Sequence, residues 1–148
     1  MRKSLWSDEC RRDLLVRVAR LTPDAPPRWG RMTAPQMLAH LTDWMVMAKG
    51  DLPTRPFKGI LSYTPVKQLA IYWLPFPKGV PTAKELITRA PLDWSAERAA
   101  LCGYIESFEG IHPDGIWPEH PAFGMLTPSA WGVLGYRHTD HHLRQFGV

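Results

Sequence analysis

Trp131-Gly132-Val133-Leu134-Gly135-Tyr136-Arg137-His138-Thr139-Asp140-His141-His142-Leu143-Arg144-Gln145 is the stretch on which the fold and the chemistry of this chain turn. Thr127 and Pro128 precede it as an N-cap residue and a first-turn proline, so it belongs to a helix expected to run to about Phe146. With 3.6 residues per turn, His138 and His142 lie one turn apart and only about 40° apart around the axis, so both rings can face one ion. Trp131, Leu134 and Gln145 share their face, which otherwise reads as a core-facing stripe. Two imidazoles on a buried face must be hydrogen-bonded or ligated, because an unsatisfied buried polar group costs on the order of a few kcal/mol. A metal ion satisfies both at once.

A third nitrogen can come from a second helix. Thr33 is an N-cap with Pro35 in the first turn behind it; Met37, Leu38, Leu41, Trp44, Met45 and Ala48 form an apolar stripe ending at Gly50, and His40 lies mid-helix beside that stripe. Neutral imidazole is a common ligand of Zn, Ni and ferrous Fe. Three protein ligands, His40, His138 and His142, leave one position open to water or substrate, the pattern of a catalytic rather than a structural site. His141 falls about 60° to the other side of His138 and can also ligate, at i, i+3. His142 is preferred because it stays nearer the Trp131 and Gln145 face; His141 then lines the pocket as a proton carrier. His120, between Pro118 and Pro121, is a second proton-transfer candidate on a stiff loop, with Glu119 beside it, although plain loop packing explains the same residues. Asp140 points away and is expected to pair with Arg144 or Arg137 at the surface, the alternative being that it orients another histidine. His112 is expected on the surface of a loop. Trp131, Trp44 and Tyr136 can wall the pocket, core packing being the expected role of the two tryptophans.

Outward from these two helices the chain remains α-helical. Ser7 caps a helix over Cys10 to Leu21, with Leu14, Leu15, Val18 and Leu21 at helical spacing. Residues 22–30, rich in Pro and Gly, read as a loop. Residues 51–81 carry Pro53, Pro56, Pro65, Pro75, Pro77 and Pro81, leaving room for one short helix over Val66 to Trp73 inside a long crossover. Thr82 can cap a short helix over Ala83 to Arg89, and Asp93 a longer one over Trp94 to Phe108, separated from it by Pro91. Residues 109–126 form a second loop. No alternating strand pattern appears, so the expectation is an all-α helical bundle with a long proline-rich connection, built as a single domain of 148 residues.

Composition narrows the function classes. Hydrophobic residues make up 45% and charged residues 22%, as in an ordinary globular protein, and seven tryptophans argue against disorder. The net charge of +4 comes from scattered Lys and Arg with no basic stripe, so a nucleic-acid partner is not expected. Cys10 and Cys102 lie far apart without a CxxC motif, which points to a reducing cytoplasm; Cys102 reads as a small core residue. Met1-Arg2-Lys3 is followed by Asp8, Glu9, Arg11, Arg12 and Asp13 rather than an apolar core, so no signal peptide is expected. The longest apolar segment, Leu69 to Phe76, is too short to span a bilayer.

Three stretches resemble the DinB/YfiT-like superfamily. Met32-Thr33-Ala34-Pro35-Gln36-Met37-Leu38-Ala39-His40-Leu41 is similar to its early helix bearing the first ligand, and His138-Thr139-Asp140-His141-His142-Leu143-Arg144-Gln145 to its terminal pattern of two histidines four apart with a Gln three residues on. The lead-in Trp29 to Thr33 and the phrase His120 to Gly124 resemble a subgroup without an assigned reaction. Leu143-Arg144 stands where the commoner pattern has Arg-Gly, which leaves the ligands intact. The resemblance implies an up-down-down-up four-helix bundle with a histidine triad at one end of its core. It also implies a Ni, Zn or Fe ion, frequent homodimers, and a small-molecule substrate acted on by hydrolysis or by thiol transfer with a low-molecular-weight thiol. A non-catalytic metal-binding, small-ligand-binding or dimerisation protein is the alternative.

Overall fold

The computed structural model describes residues 2–57, 59–79, 82–87, 89–111 and 115–148. Within them the capping chemistry acts where the sequence places it. Ser7 Oγ accepts the Cys10 N–H at the start of α1 (Asp8–Ala19), whose first turn carries Asp8 and Glu9 against the helix dipole. Thr33 and Gln36 cap α2 (Ala34–Ala48) reciprocally: Thr33 Oγ1 accepts the Gln36 N–H at 3.3 Å and Gln36 Oε1 accepts the Thr33 N–H at 2.9 Å. After the short α3 (Val66–Tyr72), Asp93 accepts from the N–H groups of Ser95 and Ala96 to open α4 (Trp94–Ser107). Thr127 accepts from Ala130 to open α5 (Pro128–Gln145).

Among the described residues the chain is all-helical, with these five α-helices, 3₁₀ turns at Ile60–Ser62 and Lys84–Leu86, and no strand. The helix expected over Ala83 to Arg89 is a correction: only the Lys84–Leu86 turn forms, and Ile87 already leaves helical geometry at φ −138°. So short a segment cannot sustain a helix on propensity alone, and tertiary partners take its groups instead, as the Leu86 carbonyl shows below. His112, expected at a surface, lies outside the described residues.

Helices α1 and α2 each pack against both α4 and α5, and α3 packs on α5. Every residue of α2 except Pro35, Gln36 and Val46 is buried, so α2 is enclosed nearly all round and carries His40 into the interior. Helix α5 is gripped from its other side by the N-terminal segment. The Leu5 N–H donates to the Gly132 carbonyl at 3.0 Å, and Trp6 Nε1 to the Pro128 carbonyl at 2.9 Å. This close approach explains Gly132 and Gly135, otherwise costly in a helix: a Cβ on Gly132 would lie 2.3 Å from Trp6 Nε1, and one on Gly135 2.4 Å from Leu5 Cδ1. The register of the histidines that follow is thereby fixed. No helix among the described residues is long and apolar enough to cross a membrane.

Candidate metal centre

Helix α2 brings the buried His40, and α5 the half-buried His138 and His142, to one place. One ring nitrogen from each can be chosen so that all three lie within 4.8 Å of one another, and each pair of ring centroids is 4.9 Å apart. The tautomers of two rings follow from groups that can only accept. His40 Nδ1 lies 3.1 Å from the Leu86 carbonyl, so Nδ1 carries the proton and donates, and Nε2 carries the lone pair that faces the other two rings. His142 Nδ1 lies 2.8 Å from Gln145 Oε1 and donates in the same way.

His138 completes the group. Its Nε2 sits 3.0 Å from His40 Nε2, and its Nδ1 is buried without a hydrogen-bond partner among the described residues. Burial and the neighbouring imidazoles hold the His138 pKa well below the ordinary histidine value. Burial lowers His40 as well, and takes His142 down to about 3. All three rings are therefore neutral near pH 7. Neutral imidazole nitrogens converging from two helices, one ring with an orphaned nitrogen, make a group that could hold a metal ion.

His141 stands outside this group of three. Its ring lies 5.3 Å from that of His142, between Trp29 at 5.4 Å and Phe76 at 5.8 Å, and it is half-buried. The wall about the histidines is aromatic, with Trp44 5.3 Å and Phe76 6.4 Å from His138. Trp44 and Trp131 are core residues as expected, whereas Tyr136 faces α1, its hydroxyl donating to Asp13. The sequence did not single out Phe76. It is held by Arg137, whose guanidinium lies over the ring at 5.1 Å and donates to the carbonyls of Ala70, Ile71 and Leu74. The Pro75-Phe76-Pro77 phrase was its only signal, and the Leu86 carbonyl on His40 had none.

Of the two partners expected for Asp140, Arg144 pairs with it and Arg137 does not, and Arg17 is added from α1. Its carboxylate pairs with Arg17 of α1 at 2.7 Å as well as with Arg144 at 3.0 Å, while Arg137 is committed to the carbonyls just named. Contacts between α1 and α5 bring Arg17 there, which spacing along one helix does not reveal.

His120 is buried against Phe123 and Trp131, at ring distances of 5.0 and 5.4 Å. Its Nδ1 accepts the N–H groups of Ala122 and Phe123, and its own backbone pairs with Gly124, so it closes the 120–124 turn. Burial lowers its pKa to about 3. Between that value and the ordinary 6.5 the unfolded chain binds more protons than the folded one. Stability from this group is therefore complete above about pH 6.5 and declines as the pH falls toward 3. Denaturant unfolding of wild type and His120→Asn at pH 7 and pH 5 checks this. The wild type is expected to lose about 2 kcal/mol more than the variant on acidification.

A family model described as "Protein of unknown function (DUF1569)" matches residues 15–147. No curated protein and no solved structure matches the chain.

Proposed function

The chain belongs to the DUF1569 family, and from that premise we propose that it is a metal-dependent enzyme of the DinB/YfiT-like kind. His40, His138 and His142 bind one divalent ion, Ni, Zn or Fe, and one coordination position stays open for a small-molecule substrate. The observation that carries this is the convergence of the three rings, two of them with their lone pairs turned inward by fixed acceptors on the opposite nitrogen. The bundle in this proposal consists of α1, α2, α4 and α5 in one domain, up-down-down-up, with residues 49–93 as the crossover. The packing of both α1 and α2 against α4 and α5 supports it.

A bound ion of this class lowers the pKa of a water or takes a thiolate directly, either of which supplies a nucleophile near neutral pH for hydrolysis or thiol transfer. The chain's own groups do the rest. The three imidazoles bind, and the Leu86 carbonyl and Gln145 orient two of them. Trp44 and Phe76 wall His138 with apolar rings. His141 takes the proton-carrying role: burial lowers its pKa, with Asp140 opposing, so it is a neutral base near pH 7 beside His142. His120, its Nδ1 occupied by two N–H groups, keeps the loop folded rather than moving protons.

The test is elemental analysis of protein purified without added metal, followed by a screen of the metal-loaded protein with thiol-transfer and hydrolytic substrates. One equivalent of a divalent ion and turnover in either screen is the expected result. Failure to bind Zn, Ni or Fe after reconstitution overturns the metal site. Binding without an exchangeable water or any turnover overturns the enzyme and leaves a metal-binding module.

A further inference from the structure

The loop between α1 and α2 meets the end of α5 at Gln145. Gln145 Nε2 lies 2.7 Å from the Trp29 carbonyl, and the backbone carbonyl of Gln145 accepts the Arg28 N–H at 2.7 Å. A carbonyl can only accept, so the amide nitrogen of Gln145 must face Trp29, and its Oε1 must face His142. The proton of His142 is then compelled onto Nδ1, 2.8 Å from that oxygen. Polarity runs in one direction from a backbone carbonyl, through an amide, to the ring.

The turn itself is built for this contact. Gly30 has φ +78°, a conformation that side-chain-bearing residues rarely adopt, and a Cβ there would lie 2.8 Å from Gln145 Nε2. The glycine thus supplies both the backbone shape that presents the Trp29 carbonyl and the space the amide occupies. The Trp29 ring adds a second hold, 5.4 Å from His141 and with Lys78 Nζ 4.6 Å above it.

We infer that the Arg28–Gly30 turn is a positioning element for His142, fixing its tautomer and aim through Gln145 from more than a hundred residues away in sequence. The inference rests on the metal-site proposal for its purpose, but not for its test. The position of the proton on His142 is readable in metal-free protein.

Long-range ¹⁵N–¹H spectra of metal-free wild type should show His142 as the Nδ1–H tautomer. Gln145→Ala and Gly30→Ala should shift it toward the Nε2–H form that unconstrained imidazole prefers. Gln145→Glu, which still accepts from the ring but cannot donate to Trp29, should retain Nδ1–H. With Zn alone as the probe, Gln145→Ala and Gly30→Ala should bind about 10–100-fold more weakly than wild type. An Nε2–H ring in wild type overturns the inference, and that spectrum needs no variant to fold. A variant that folds and loses affinity while His142 keeps its wild-type tautomer also overturns it, since the effect is then merely structural. If wild type binds no metal, the proposed function fails while the tautomer spectra still decide this inference.

Discussion

If the proposed metal centre holds, His138→Ala and His142→Ala should each remove most of the bound metal, lowering affinity by more than about tenfold, while Asp140→Asn leaves metal content nearly unchanged. Removing a ligand does at least what loss of a ligand's orienting partner does, which is itself about 10–100-fold. Two imidazoles would remain in either variant, one of them still His40 with its Nδ1 tied to the Leu86 carbonyl. Asp140 sits only two residues from each of these proposed ligands, yet its carboxylate is engaged with Arg17 and Arg144. Its loss should therefore register as a stability change of about 1–2 kcal/mol, above the surface-pair scale because the Arg17 and Asp140 side chains are only 13% and 18% exposed, and limited because Asn still accepts. Elemental analysis of the three purified variants, with circular dichroism to confirm that each is folded, makes the comparison. Equal metal loss in all three would place Asp140 inside the site and break the assignment of faces on α5.

How much of this was legible in the sequence depends on the range of the interaction. The long helices were, because a cap and a periodic stripe are local: Ser7, Thr33, Asp93 and Thr127 all cap where their side chains predict. The pairing of His138 with His142 was legible for the same reason, being a matter of one turn on one helix. His40 needed a guess about which helices meet. What could not be read are contacts made by groups with no side-chain identity, or between elements brought together only by folding. The Leu86 carbonyl on His40 is a backbone atom in a segment whose sequence favoured a helix, and the Trp29 carbonyl on Gln145 is another. Arg17 reached Asp140, and Arg137 reached the 70–74 carbonyls, across helices. Local charge spacing offered Asp140 only Arg144, which does pair with it, and Arg137, which does not.

The second large effect is expected at a residue outside the histidine group. Glu97 of α4 is fully buried, and its carboxylate accepts from Arg89 Nη1 at 2.9 Å and Nη2 at 2.7 Å, and from the Leu92 N–H at 2.9 Å. Arg89 Nε also donates to Asp43 of α2 at 2.9 Å. Removing one partner of such a pair leaves the other charge in a poorly solvated place, a loss usually near 3–5 kcal/mol. Because the Arg89 side chain is 34% exposed, Glu97→Ala should fall at the low end, about 3 kcal/mol. Burial alone would raise the pKa of Glu97, but Arg89 and the Leu92 N–H outweigh it and hold the group below the ordinary carboxylate value. Its contribution to stability is then full above that ordinary value and is lost as the pH falls through the lowered one, a limb that Glu97→Gln should flatten.

The same cluster bears on the metal. Arg89 is tied to α2 and α4, and it lies three residues from Leu86, whose carbonyl orients His40. Glu97→Ala should therefore weaken metal binding as well as folding, although no atom of Glu97 is a ligand. Replacing Arg89 and Glu97 together by apolar residues should recover much of the stability, since no charge is then stranded. Thermal unfolding and Zn titration of the single and double variants separate the two effects. A Glu97→Ala protein that melts with the wild type would mean that this buried pair contributes nothing to holding the segment on which His40 depends.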